Sequence, residues 1–230
     1  MIAVITALLL AVQAAPSPTL SPLRADVEAQ NEPRLRTAAQ LLKDHEPQQA
    51  LDILTIALAA YDADHASEKR RLYCGMSPQE TLLYMMMAAK DKTSAVAVPP
   101  GYCTALYLKG YALVDLGQPA EAKAVYRQAI ALAPMYAQYQ TELGQLLRLD
   151  KDWPGMLSTC EGAAQAAAIA PAAIKMLQQG AALRCQGYAL VEEHKLDEAE
   201  KRYRQALAIN PGDLKAQGEL QYIAQQRAKP

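Results

Sequence analysis

The sequence predicts an all-α protein with internal repeats on three observations. Alanine, the strongest helix former, supplies about a fifth of the 230 residues. Only 11 glycines are spread over that length, too few for the many tight turns of a sheet sandwich. One stretch also recurs. Residues 110–134 read GYALVDLGQPAEAKAVYRQAIALAP, residues 187–211 read GYALVEEHKLDEAEKRYRQALAINP, and they share 13 of 25 positions without a gap.

The elements follow in chain order. Residues 1–23 carry no charged side chain, and Ile2 to Val12 is an apolar run too short to cross a bilayer as a helix. Small residues around Val12-Gln13-Ala14 then precede Pro16, Pro18 and Pro22. That is the order of a secretory signal peptide over 1–14, cleaved after Ala14, and it predicts an exported, periplasmic protein. The leader has no Lys or Arg, so a cytoplasmic chain with a buried or irregular N-terminus stays the alternative. Residues 15–30 read as a Pro-containing linker. A degenerate copy of the repeat fits 31–64 through Ala38, Leu41, Ala50, Leu54 and Ala57. An insertion over 65–102 carries one helix, because Ser77-Pro78-Gln79-Glu80 is a capping box with proline at the first helical position. Asp91 to Gly101, with Pro99 and Pro100, reads as an irregular connection. Further copies occupy 103–136, 137–179 and 180–213, the second enlarged by nine residues around Ala168 to Gly180. Leu220, Tyr222 and Ile223 mark a helix over 214–230 that solvates the end of the array. No segment after the leader is apolar enough for a membrane span.

The period is 34 residues from Gly110, Leu113 and Ala129 to Gly144, Leu147 and Ala163, with Pro134 and Pro211 closing two copies. This pattern resembles the tetratricopeptide repeat over a little more than half of the chain. The resemblance implies a right-handed α-solenoid of helix-turn-helix pairs. In it, Gly110, Gly144 and Gly187 let paired helices approach, with Ala122 and Ala199 as small partners. Tyr126 and Tyr203 fill the space toward the next pair, and the prolines end the second helices. In the copy over 137–179, Cys160 stands where the large residue belongs and Met156 replaces the small alanine, so this copy is expected to pack less regularly. His45 and His194 align with Gly117 in the turn between paired helices. Histidine tolerates the left-handed backbone such a turn needs, so both read as turn residues rather than as general bases.

Four cysteines lie at Cys74, Cys103, Cys160 and Cys185. They form no CxxC pair, and with three histidines in the chain no zinc site is predicted. Cys74 and Cys103 bracket the insertion, while Cys160 and Cys185 bracket the nine extra residues. In an oxidising compartment that placement suggests two disulfides. Four cysteines allow three connectivities, and four buried thiols are the other reading.

A net charge of −1 leaves no broad electrostatic footprint for nucleic acid or an anionic membrane. HExxH, GxSxG, P-loop and GxGxxG motifs are absent, so no catalytic residue, cofactor or metal is predicted. An enzyme built from Tyr73, Tyr84 and Lys90 of the insertion is the third reading. What the resemblance implies is a non-catalytic protein–protein interaction module, a scaffold or assembly adaptor, holding a peptide or helix on the concave face. In register, that face carries Tyr107, Tyr111 and Val114; Thr141, Gln145 and Arg148; then Arg184, Tyr188 and Val191. Thr104, Gln138 and Ala181 extend the stripe by one turn. Tyrosine and arginine on one surface are the residues that dominate interface energetics, and an acidic ligand group is expected near Arg148 or Arg184. The two-carboxylate clamp of chaperone-binding members is not reproduced. The alternative is a structural subunit of a fixed or self-associated complex, its groove filled by its own insertion.

Overall fold

The computed structural model describes the backbone of residues 22–228 and the side chains of 26–228. The leader expected over 1–14 lies outside the described residues. In order, the elements are α1 (Pro22–Lys43), α2 (Pro47–His65), β1 (Arg71–Cys74), α3 (Pro78–Lys90), β2 (Ala95–Val98), α4 (Gly101–Asp115) and α5 (Pro119–Leu132). They continue through α6 (Ala137–Leu147), α7 (Trp153–Ala168), α8 (Ala172–Glu192), α9 (Leu196–Ile209) and α10 (Leu214–Arg227). The pairs α1–α2, α4–α5, α6–α7 and α8–α9 stack into an all-α solenoid that α10 closes.

Local chemistry sets the hairpins. Each pair turns through one left-handed residue: His45 (φ 60°), Gly117 (φ 70°), Lys151 (φ 55°) and His194 (φ 60°). The alignment had placed two of these, His45 and His194, in this role. Proline then opens the second helix of two pairs at Pro47 and Pro119, where its missing N–H removes no helical bond. After the second helix, Gln140 Nε2 donates to the Pro134 carbonyl (2.7 Å) and Gln217 Nε2 to the Pro211 carbonyl (2.9 Å). The closing prolines are thereby tied to the helix that follows.

Packing within each pair is close. A Cβ on Gly110 would fall 2.6 Å from the Tyr126 ring, and one on Gly187 would fall 2.7 Å from the Tyr203 ring. At Gly144 the same atom would meet the sulfurs of Cys160 (2.6 Å) and Cys185 (2.9 Å). Those two cysteines are joined, with a Cα–Cα distance of 5.8 Å. The copy expected to pack loosely for want of a large residue at Cys160 is therefore filled by the second cysteine. The register makes this substitution general. Tyr126 faces Glu142 and Tyr203 faces Glu219 across their junctions, and Cys160 and Cys185 occupy the equivalent two positions. At the first junction those positions hold Leu54 and Leu108, both in the main apolar cluster. Ala137, Ala163, Ala166, Ala167 and Ala182 form a separate cluster, whose small side chains let α6, α7 and α8 approach.

Three features depart from the expectations. Helix α1 begins at Pro22, inside the stretch read as a linker over 15–30. Proline at a helix start is tolerated, and Pro33 inside α1 is carried by tertiary contacts. The Glu28 carboxylate accepts from the Tyr61 hydroxyl (2.9 Å) and the Gly101 amide (3.0 Å), while Leu35, Ala38 and Leu42 are buried. The nine extra residues form no separate connection; they lengthen α8 to 21 residues by about two turns at its N-terminal end. Finally, the 65–102 insertion holds more than one helix. It is a β1–α3–β2 unit whose strands pair in parallel, from Arg71 with Ala95 to Cys74 with Val98. The Ala95–Val98 run alternates β-branched valine with alanine, and Pro99 stops the strand. Helix α3 starts as expected, with Ser77 Oγ accepting from the Glu80 amide (3.2 Å). The Cys74–Cys103 disulfide (Cα–Cα 6.1 Å) ties β1 to the first turn of α4.

Candidate partner-binding groove

The inner faces of α6 and α8, with the start of α10, enclose a cleft of about 440 Å³. Helix α6 contributes Thr141, Glu142, Gln145 and Arg148; α8 contributes Ala181, Arg184 and Tyr188. Tyr203 forms the floor, and Lys215 and Glu219 of α10 complete the far wall. Six stripe residues named from the sequence thus meet here: Thr141, Gln145, Arg148, Ala181, Arg184 and Tyr188. Gln138 and Thr141 border a smaller pocket of about 160 Å³, whose other side is Ile174 and Leu177 on the extended part of α8. Tyr107 joins this row because its hydroxyl accepts from Gln138 Nε2 (2.6 Å). Burial foremost, then the Glu142 charge, pushes that hydroxyl's pKa up to about 12. Tyr111 stands exposed on α4 outside both pockets. No residue of 65–102 lines either pocket.

The two arginines differ. Arg184 is paired with the Asp213 carboxylate, which is 7% exposed and also caps α10 by accepting from the Lys215 and Ala216 amides (3.2 Å each). Arg184 therefore holds α10 in place and is not a free grip for a ligand carboxylate, as the sequence had suggested. Arg148 lies over the Tyr188 ring, 5.4 Å from its centroid. Trp153 meets the same ring edge-on at 6.1 Å. The Tyr188 hydroxyl pKa is raised by burial and then by Glu192, with Arg148 acting the other way.

Sequence reasoning missed Glu142 and Glu219. Both follow the filling tyrosine of the preceding repeat by the same interval, 126 to 142 and 203 to 219, and that recurrence was the available signal. Burial raises the pKa of each carboxyl; the nearby polar groups of Gln138 and Tyr203 respectively oppose the shift. Both groups hold a proton more tightly folded than unfolded. Their contribution to stability is complete below the ordinary glutamate value of 4.5 and is lost as pH rises through the raised values. A Glu142→Gln, Glu219→Gln chain should therefore melt above the parent at neutral pH and together with it in acid. Melting temperature across pH checks this, and a variant that melts lower at neutral pH would show the carboxylates stabilise the fold.

Of the insertion residues considered for catalysis, two are core residues. Tyr73 and Tyr84 are buried and stacked at 5.1 Å, and the Tyr84 hydroxyl accepts from the Met135 amide (3.2 Å). Lys90 is exposed at the end of α3. Among the described residues, no three His, Cys, Asp or Glu side chains are grouped to hold a metal ion, and no helix is long and apolar enough to cross a membrane.

Fold and groove together define a helical-repeat protein with an open inner face. Residues 104–134 match the tetratricopeptide repeat family. Solved structures repeat the architecture over most of the chain. PilF of Pseudomonas aeruginosa is 13% identical, with 89% of this chain and 70% of that chain covered and a TM-score of 0.60. MamA from Desulfovibrio magneticus RS-1 is 15% identical, with 91% and 88% covered and a TM-score of 0.56. No curated protein matches the sequence. Residues 104–134 are thus a tetratricopeptide repeat, and the chain as a whole shares the helical-solenoid fold of these structures.

Proposed function

We propose that the protein is a non-catalytic interaction module, a scaffold or assembly adaptor, that holds a peptide or helix of a protein partner in the α6–α8–α10 groove. We also propose that it works after export, in the periplasm. The observation that carries the reading is the open cleft on the inner face, with Tyr188 presented between Arg148 and Trp153. A rigid aromatic beside a guanidinium is a common anchor at protein interfaces. The apolar leader and two paired disulfides support an oxidising compartment.

Affinity capture from native cells, comparing the intact chain with Arg148→Ala, Tyr188→Ala, tests the groove. Arg184 is left intact because its loss would leave the buried Asp213 carboxylate without its counter-ion. Both forms must first match in circular dichroism and melting temperature. A partner recovered by the intact chain and lost by the variant is expected. Equal recovery by both would move the site elsewhere, and mass rising with concentration on size exclusion would favour the self-associated subunit. Fractionation of the same cells reports the compartment.

A further inference from the structure

The groove's charged groups are not equivalent, and the difference identifies the chemistry of its partner. Of its cations, Arg184 is neutralised by Asp213. Arg148 lies on the Tyr188 ring, with Glu192 one turn further along α8. Lys215 is exposed at the rim, where water and salt screen it. The two carboxylates stand the other way. Glu142 on α6 and Glu219 on α10 are partly buried in the cleft walls. Their polar neighbours are neutral groups, Gln138 and Tyr203, and no ion pair among the described residues includes either one. A carboxylate already stripped of much of its water gains more from an arriving cation than a hydrated one does, because part of the desolvation cost was met on folding. The floor between them is Tyr188, Tyr203 and Ala181, which suits an aliphatic stem or an apolar side chain.

Resting on the groove reading above, we propose that the partner is a basic segment. One of its cationic side chains pairs with Glu142 on the α6 wall, a second pairs with Glu219 on the α10 wall, and an apolar residue lies on Tyr188 between them. An acidic segment, by contrast, would bring its charge against two uncompensated carboxylates, with Arg184 already paired, Arg148 held on the Tyr188 ring and Lys215 screened at the rim. Like charges at that range oppose binding.

The test is a selection from a random displayed peptide library against the immobilised full chain, with the Tyr188→Ala chain used to discard binders outside the groove. Enrichment of peptides carrying spaced Arg or Lys is expected. Their affinity should fall about tenfold or more on the Glu142→Gln, Glu219→Gln chain, the size of a lost charge-assisted hydrogen bond, while its melting temperature does not fall. Groove-dependent peptides that are acidic or uncharged would overturn the basic-partner inference and leave the groove reading standing. So would basic peptides whose affinity is unchanged by the glutamine pair. If no peptide depends on Tyr188, the groove reading itself fails and this inference with it. The library arm needs no variant of the carboxylates, so the result does not hang on how the glutamine chain folds.

Discussion

Replacing Cys160 and Cys185 together by alanine is expected to lower the stability of the fold by about 3.5 kcal/mol, the loop-closure value for a cross-link of this span. The bridge encloses a sequence separation of 25 residues and is buried, at 0% and 1% exposure. The loss should be partly recoverable in a specific way. The two sulfurs occupy the space over Gly144, so Gly144→Ala should be harmful in the parent and tolerated in the double-alanine chain. Thermal melts of the four chains form a double-mutant cycle, whose coupling separates a packing role from simple loop closure. A parent that melts unchanged after reduction, with no coupling to Gly144, would remove the disulfide from the account of this junction.

Tyr126→Ala should destabilise by about 4 kcal/mol, as expected for truncating a fully buried aromatic side chain. Its ring covers Gly110 and is 1% exposed. Tyr126→Phe should be close to neutral, because the hydroxyl is buried without a well-formed hydrogen bond and its removal leaves no new unpaired group. Denaturant midpoints at a common slope decide both. A large loss with phenylalanine would mean that the hydroxyl and Glu142, which faces it, form a bond that matters to the fold. Tyr203→Ala should cost less, since only α10 lies beyond that junction.

Much of the architecture was readable because the repeat writes the same mechanics several times. A glycine, a large partner and a left-handed turn residue recur at fixed intervals, so even His45 and His194 could be assigned to turns by alignment with Gly117. The stripe that lines the groove followed from the same register, and six of its residues converge on one cleft. What was not readable depends on contacts distant in sequence. Four-residue strands such as Arg71–Cys74 and Ala95–Val98 carry almost no periodic signal, and a parallel pair requires a partner across an intervening helix. Arg184 looked free because its counter-ion, Asp213, lies 29 residues on and comes beside it only once α10 has docked. Glu142 and Glu219 looked like ordinary surface residues; their importance comes from burial, which spacing alone does not reveal. Helix α1 starts earlier than composition implied because Glu28 reaches Tyr61 and Gly101.

The two disulfides also give the chain an unusual response to pulling. Each one shorts out the segment it encloses, 25 residues in one case and 29 in the other. Stretched from its ends, an oxidised chain would therefore fall short of a reduced one by roughly 190 Å of contour length, at about 3.5 Å per extended residue. The hidden stretches hold α3, β2, the C-terminal half of α7 and the N-terminal part of α8, so tension along the backbone would bypass them. Load would pass instead through the sulfur–sulfur bonds into α4 and the middle of α8. A tethered array of this kind behaves as a short, stiff strap whose length is set by its redox state rather than by its residue count.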